Sequence, residues 1–389
     1  MVEVNMRNKL TTFPILAITL VVFLIFSVSG CITNGSTDDQ AKTINVTDMA
    51  GRSVTLKYPV ESLVLMDSTC TAEFSSVYGE GFDSKIVGWD NNLRDNSGDM
   101  YEKYVEKFPA MAEIPDVGSL DDNTFNAEKV IALNPDVVIM HDWEFMWDGE
   151  ATKEALTRLD QAGIPVVFLD FYMDPMTNST KSMQLLGKIT DKEQRAQDIV
   201  DYYDDKVNSI YSRLEKIQGK KPTVYIECAY KGPETYGISY GDVAWGDIVK
   251  KAGGDNIAEP ILLNKSKALS AEYLVNQSPD IIILTGRNWS TPGSLRMGYT
   301  STPNVTKSTM TPFINRPGWD TINAVENQKV YGIYHGYCTD IFNFVALEAF
   351  AKWFYPEEFR DVDPAETLKE YHRKFMPIDY SGTLVYSYY

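Results

Sequence analysis

AEKVIALNPDVVIM, residues 127–140, is written twice in this chain: it returns as AEYLVNQSPDIIIL at residues 271–284. Ala-Glu opens each copy, Pro-Asp holds the same internal place, and an apolar run closes it. Glu128 and Glu272, Pro135 and Pro279, and Asp136 and Asp280 are each 144 positions apart. That period is far too long for a solenoid unit and implies two copies of a whole α/β lobe. Val130, Ile131 and Leu133 in the first copy, and Leu274 and Val275 in the second, fit the apolar face of a short helix. Asn134-Pro135 and Ser278-Pro279 end those helices, because the residue before proline is pushed out of the helical region. The runs 137–140 and 281–284 read as strands buried on both faces of a parallel sheet.

Outward from the first copy, residues 43–56 alternate about a Met-Ala-Gly-Arg turn and predict a hairpin. Strands are expected at 62–66, 85–89 and 166–169, with helices at 72–78 and 153–162. This β-α-β order means a parallel sheet with helices on both faces. Residues 191–217 carry the longest helical pattern, with Ala196, Ile199, Tyr203, Val207, Ile210, Leu214 and Ile217 every three or four residues. Thr190 and Glu193 form an expected capping box, and Gly219 and Pro222 stop the helix. At 1.5 Å per residue it spans roughly 40 Å, the length of a whole lobe. It falls between the two copies and reads as a rigid spine. Beyond it, a strand is expected at 223–227, a helix at 243–252, an irregular stretch at 288–312, a helix at 320–325 and a strand at 329–334. Helices at 344–354 and 364–375 close the fold. The resulting organisation is a lobe at 43–190, a spine at 191–219 and a lobe at 220–389.

The N-terminus is a targeting segment, set apart from the fold. Arg7 and Lys9 precede an apolar stretch at 13–26, too short for a comfortable membrane span. Val-Ser-Gly-Cys, ending at Cys31, resembles a lipobox, in which the cysteine is lipidated and begins the mature chain. Residues 1–30 are therefore expected to be a lipoprotein signal peptide. Residues 31–42 form a polar leash, and the globular part lies outside the cytoplasmic membrane. Of the other cysteines, Cys70, Cys228 and Cys338, at most one pair can bridge; ordinary half-buried thiols are expected, with a Cys228–Cys338 bridge or soft metal ligation as the alternatives. The formal charge of −18 argues against a nucleic-acid partner.

Together, TDMAGRSVTL, both repeat copies, the single long helix and RPGWDTINAVENQKVYGI (316–333) resemble the substrate-binding lipoproteins of ABC importers. The group is the one serving iron–siderophore, haem and cobalamin uptake. The resemblance implies two Rossmann-like lobes bridged by one long helix, with ligand in the cleft between them and little hinge closure. It implies a monomer that works with a permease and its ATPase, with no cofactor and no catalysis. It also implies one exposed glutamate per lobe for permease docking, here Glu128 and Glu272.

Parallel α/β sheets bind ligands at the carboxyl ends of their strands. Those ends offer Ser68, Thr69, Trp89, Arg94, His141, Trp143 and Tyr172 in the first lobe. The second offers Tyr230, Tyr236, Tyr240, Arg287, Trp289, His335 and Tyr337. Flat rings suit a large conjugated or chelated ligand, and arginine suits its anionic oxygens. With His141, His335 and His372 as the only histidines, a resident zinc cage is not expected. A molybdate or tungstate ion is the runner-up ligand; Ser68, Thr69, Arg287 and residues 296–299 would serve it. A third reading is a serine hydrolase. Residues 237–241, GISYG, match G-x-S-x-G, but no strand runs straight into that turn.

Overall fold

The computed structural model describes residues 42–120, 122–141, 149–263 and 265–389. The targeting segment, Cys31, the leash up to residue 41 and Trp143 lie outside the described residues. Strands β1 (Thr43–Thr47) and β2 (Ser53–Lys57) form the expected hairpin. The first lobe is a four-stranded sheet of β3 (Leu63–Leu65), β4 (Ile86–Trp89), β5 (Val137–His141) and β6 (Val166–Leu169). Its order is β4-β3-β5-β6, with every pair parallel. The second lobe contains β7 (Thr223–Cys228), β9 (Asp255–Asn256), β11 (Ile281–Gly286), β12 (Val330–Tyr334) and β13 (Val385–Ser387). Its order is β13-β12-β11-β7-β9, and only β13 runs antiparallel. The ribbon of β8 (Ser239–Tyr240) and β10 (Ser266–Lys267) stands apart. Without β13, the two sheets share one topology: β4-β3-β5-β6 matches β9-β7-β11-β12.

The sequence repeat has a structural cause. Helices Ala127–Leu133 and Ala271–Gln277 are each seven residues long. Asn126 caps one through the Lys129 amide, and Ser270 caps the other through the Tyr273 amide. Both stop on a left-handed residue, Asn134 at φ 46° and Ser278 at φ 41°. Proline then prevents continuation. The following aspartate ties each crossover to a neighbouring strand. Asp136 Oδ2 accepts from the Ser62 amide just before β3 at 3.1 Å, and Asp280 Oδ2 accepts from the Thr223 amide at the start of β7 at 2.9 Å.

The spine helix is Glu193–Leu214, 22 residues, shorter than expected at both ends. No capping box starts it. Thr190 is instead the last residue of a helix that the sequence reading missed, Pro175–Thr190, and its hydroxyl bonds back to the Leu186 carbonyl. Asp191 turns the chain at φ 59°. Gly187 is required at this corner, since a Cβ there would meet the Ala196 Cβ at 2.4 Å. The spine then packs across to helix Asn343–Phe354 of the second lobe, where Tyr202 and Tyr203 meet Phe344 at ring distances of 6.0 and 5.5 Å. The stretch 288–312, expected to be irregular, ends in helix Pro303–Ile314. Thr302 caps the Val305 amide and Pro303 occupies the first turn, where its missing N–H costs nothing. Among the described residues Cys70, Cys228 and Cys338 form no disulfide with one another.

The spine is not the sole link between the lobes. Glu73 of helix Thr71–Tyr78 accepts from the Ile341 amide at 2.7 Å. Asn343 reaches Ser179 at 2.8 Å and accepts from the Tyr203 hydroxyl at 2.6 Å. Lys251 pairs with Asp174 at 3.0 Å. The C-terminal segment braces the first lobe through Ser381 on Lys103 at 2.9 Å and the spine through the Phe375 carbonyl on Arg195 at 2.9 Å. Several of these bonds are buried, so a large hinge motion would leave polar groups unpaired.

Candidate functional site

Three adjacent strands of the second lobe bring donors to one point. Cys228 ends β7, Thr285 lies near the end of β11, and His335 follows β12. His335 Nδ1 shares a 2.7 Å hydrogen bond with Thr285 Oγ1, and its Nε2 faces Cys228 Sγ at 3.9 Å. The rings of Trp289 and Trp245 lie 5.2 and 6.3 Å from the imidazole. Burial, helped by Arg287, pushes the His335 pKa down to about 3, so the ring is neutral at physiological pH. Burial likewise pushes the Cys228 thiol up to about 12, although hydrogen bonds from Thr285 and Tyr240 act in the opposite direction. Tyr230 packs on Trp289 at 6.2 Å. From the first lobe, Tyr172 comes within electrostatic reach of Cys338 and Cys228. The predicted residues Tyr230, Trp289 and His335 thus form one chain of rings ending at Cys228, a residue the sequence reading treated as an ordinary thiol.

Arg287 sits at the end of the same sheet. It is 9 % exposed, its Nε has no hydrogen-bond partner, and its guanidinium lies over the Tyr334 ring at 5.6 Å. Asp99 and Asp340 are its charged neighbours, and neither forms an ion pair with it. Gly336 makes room for it, since a Cβ there would meet Arg287 Nη2 at 3.1 Å and Tyr334 Cε1 at 2.5 Å.

The first lobe's strand ends are acidic. His141 is 1 % exposed, and its Nε2 lies 3.0 Å from Cys70 Sγ and 3.3 Å from Asp67 Oδ2. Ser68 is fully buried: its amide donates to Asp90 and its hydroxyl accepts from the Leu93 amide. Thr69 donates to Asp67 Oδ1 at 2.6 Å. Burial raises the Asp90 pKa, and the neighbouring Asp67 adds to the effect. Of the groups expected to cradle an oxyanion, the Ser68 amide and the Thr69 hydroxyl are therefore spent on carboxyl groups and the Ser68 hydroxyl on the Leu93 amide. Trp89 is buried against Tyr101, and Arg94 is exposed beside Asp95 at 3.3 Å. Tyr337 is fully buried between Tyr334 and Phe342. Arg296 donates to Asn288 at 2.6 Å, and Tyr299 is buried at the lobe junction. Among the described residues, no three His, Cys, Asp and Glu side chains are grouped to hold a metal ion on their own.

Glu73 gives the lobe junction a pH dependence. Burial pushes its pKa from 4.5 up to about 8, with Asp67 adding and the Ile341 amide opposing. Between those two values the folded protein holds more protons than the unfolded chain, so stability falls as pH rises from about 4.5 to 8 and is level above. Glu73→Gln keeps the acceptor for Ile341 without the charge. The variant is expected to lose that slope and to be more stable than wild type at pH 8.5. Urea midpoints at pH 5.5 and 8.5 check this; an unchanged slope refutes it.

Tyr236, another predicted ligand residue, belongs elsewhere. It packs on Arg316, 4.3 Å from the guanidinium carbon, and accepts from Trp319 Nε1 at 2.9 Å. Arg316 makes a buried bidentate pair with Glu227 at 2.6 and 2.9 Å and also donates to the Pro233 and Thr235 carbonyls. Glu227 further accepts from the Gly237 amide and the Tyr225 hydroxyl. The loop after β7 is thus pinned at several points. The only sequence signal was Glu227 in an apolar strand, since a buried charge demands a partner.

The hydrolase reading does not survive. Ser239 lies in β8 with a buried Oγ that bonds to nothing, and the His335 ring faces Thr285 and Cys228. Glu128 and Glu272 sit in the first turns of their helices. Each helix runs into a strand, so both glutamates lie at the carboxyl ends of the sheets, the cleft side. Glu128 pairs with Arg158 at 2.9 Å on the surface; Glu272 has no ion-pair partner among the described residues.

Two equivalent parallel sheets with facing strand ends and a bracing helix define a two-lobed solute-binding protein. The profile of the family described as periplasmic binding protein matches residues 69–335. This chain belongs to that family. It is 37% identical to a crystal structure described as a TroA-like periplasmic binding protein, FepB, from Veillonella parvula; the match covers 88% of this chain and 99% of that one, with a TM-score of 0.81. The ABC transporter substrate-binding lipoprotein YvrC of Bacillus subtilis is 24% identical over 75% of this chain and 78% of its own. The molybdate-binding protein MolA of Haemophilus influenzae is 23% identical over 88% of this chain and 91% of its own.

Proposed function

We propose that this protein is the lipid-anchored, extracytoplasmic receptor of an ABC importer, tethered through Cys31. It captures an iron(III) chelate or a corrinoid and presents it to the permease through Glu128 and Glu272. The observation that carries the ligand class is the group at the second lobe's strand ends. Tyr230, Trp289 and His335 supply flat apolar surface, and Arg287 supplies a buried cation without a carboxylate partner. Such a site favours a large anionic chelate, through stacking and charge-assisted hydrogen bonds. The bonds between the lobes keep the cleft largely formed before ligand arrives, which limits the ordering cost of binding.

Molybdate is the second reading, supported by the likeness to MolA and by Arg287. Asp67 and Asp90 speak against it, since they already accept from the Thr69 hydroxyl and the Ser68 amide, donors that a small oxyanion would need. The test is calorimetry on the full-length protein in detergent against ferric siderophores, haem, cobalamin and molybdate. Binding of a ferric chelate or cobalamin is the expected result. Molybdate alone would shift the reading to the oxyanion, and a sugar or peptide alone would end it.

A further inference from the structure

We infer that each docking glutamate has a preformed apolar contact beside it: a socket next to Glu128 and a protruding Ile261–Leu263 edge next to Glu272. The partner that fits both is a permease loop presenting a bulky apolar side chain beside an arginine. This rests on the reading of the chain as an importer's receptor and adds what the permease must carry.

A carboxylate on open surface holds a cation weakly, because water screens the pair. Charge pairs at an interface become costly to cut when apolar neighbours keep water away from them. Glu128 and Glu272 are both exposed, in the first turns of their helices. Each needs apolar surface beside it to dock tightly, and each has it.

In the first lobe a cavity of about 210 Å³ opens next to Glu128. Leu120, Phe125, Ala151 and Ala155 line it, together with the exposed Glu154 and Arg158. Arg158 is also the residue that holds Glu128, at 2.9 Å, so the cavity and the carboxylate share a wall. That wall is built before a partner arrives. The Phe125 and Asn126 amides return to the Ser119 and Val117 carbonyls at 3.0 and 2.9 Å. Gly118 permits this turn at φ 79°, where a Cβ would meet the Thr124 carbonyl oxygen at 2.1 Å. An apolar cavity of about 150 Å³ accepts a benzene ring, so this one has room for a leucine or phenylalanine side chain.

The second lobe has the converse shape. Ile261 and Leu263 are 53% and 61% exposed, two of the four large apolar side chains left exposed among the described residues. Leu262 between them is buried, which turns its neighbours outward. The loop is fixed: the Leu262 amide donates to the Ala258 carbonyl at 2.9 Å, and the Lys265 amide to the Leu262 carbonyl at 2.8 Å. It is tied to the Glu272 helix as well. The Tyr273 hydroxyl donates to the Ile257 carbonyl at 2.8 Å, and Leu262 and Leu269 share a buried cluster with Leu274. Single exposed apolar residues are ordinary, but two held outward by a fixed backbone form a contact surface.

The two features are equivalent in the fold. Each lies in the connection between the outermost strand of its sheet, β4 or β9, and the repeated helix. One chemistry therefore serves both lobes. An apolar side chain fills the socket on one and covers Ile261 and Leu263 on the other, while the arginine beside it reaches the glutamate.

The experiment measures binding of the full-length protein in detergent to the cognate permease and ATPase in lipid nanodiscs, at low and high salt. Ile261→Ser with Leu263→Ser should weaken docking about tenfold or more at both salts. Ala151→Trp, which fills the socket, should do the same. Ile261→Leu with Leu263→Ile keeps the apolar area and should dock like wild type, as should Tyr389→Ser, an exposed residue at the far end of the sheet. Glu128→Ala with Glu272→Ala should instead remove most of the salt dependence. Urea midpoints confirm that each variant is folded; should Ala151→Trp not fold, the exposed Ile261 and Leu263 pair decides alone. Wild-type docking by the serine pair, with docking lost in the glutamate variant, overturns the inference and leaves the docking role of the glutamates standing. Wild-type docking by all variants removes both. Self-association of the protein in sedimentation, abolished by the serine pair, assigns the edge to a second copy of this chain and also overturns it.

Discussion

Arg316→Ala is expected to lower the stability of the protein by about 3–5 kcal/mol, the usual cost of stripping one partner from a buried ion pair. The Arg316 and Glu227 side chains are 3% and 0% exposed. Removing the guanidinium leaves the Glu227 carboxylate without its bidentate partner and frees the Pro233 and Thr235 carbonyls. It also removes the cation from the faces of Tyr236, Phe313 and Trp319. The loss should exceed that of the double variant Glu227→Leu with Arg316→Met, because apolar replacement of both partners leaves no uncompensated charge. Urea unfolding of the single and double variants measures the difference. If Arg316→Ala costs under 1 kcal/mol, or the double variant is worse than the single, the pair is not the anchor described here. Because Tyr230 rides on the pinned loop, the single variant should also perturb the fluorescence of Trp289.

Replacing both Glu128 and Glu272 with alanine should abolish uptake while leaving the affinity for ligand within twofold of wild type. Both carboxylates stand at helix N-termini on the cleft side of their lobes, 144 positions apart at equivalent places in equivalent sheets. Glu128 spends one oxygen on Arg158, in a pair whose side chains are 45% and 70% exposed. Such surface pairs contribute about 0–1 kcal/mol, so a permease arginine can displace Arg158 at little cost. Charge pairs buried by docking are worth far more when cut, about 2–5 kcal/mol each. Two such losses would reduce docking by several powers of ten. The check is transport by proteoliposomes carrying the cognate permease and ATPase, with ligand affinity measured in parallel. Normal transport removes the docking role. Loss of transport together with loss of ligand binding would instead place these residues in the structure of the cleft.

Much of the architecture was readable from local signals. The two Pro-Asp repeats, the apolar runs after them and the long periodic helix specified two parallel lobes and a spine. Each signal acts over a few residues, through proline sterics, strand burial or helical spacing. The misses share a cause. Thr190 followed by Glu193 has the form of a capping box, yet tertiary packing placed the threonine at the end of an earlier helix. Residues 303–314 were masked by proline and small polar residues, although proline in a first turn favours a helix. The candidate site was legible as a set of strand ends, which is a property of the fold class. Within that set, Tyr236 and Tyr337 turned inward and Ser68 was consumed by Asp90 and Leu93.

The sequence by itself determined that there are two equivalent α/β halves, joined near the middle of the chain. Periodicity and turn chemistry are short-range, and they survive without knowledge of what packs against what. Only the tertiary structure decided that the lobes are cross-braced, that Arg316 neutralises Glu227 across 89 positions, and that Cys228, Thr285 and His335 converge from three strands. Those contacts depend on which strands lie side by side, and strand order is fixed by packing between residues distant in the chain.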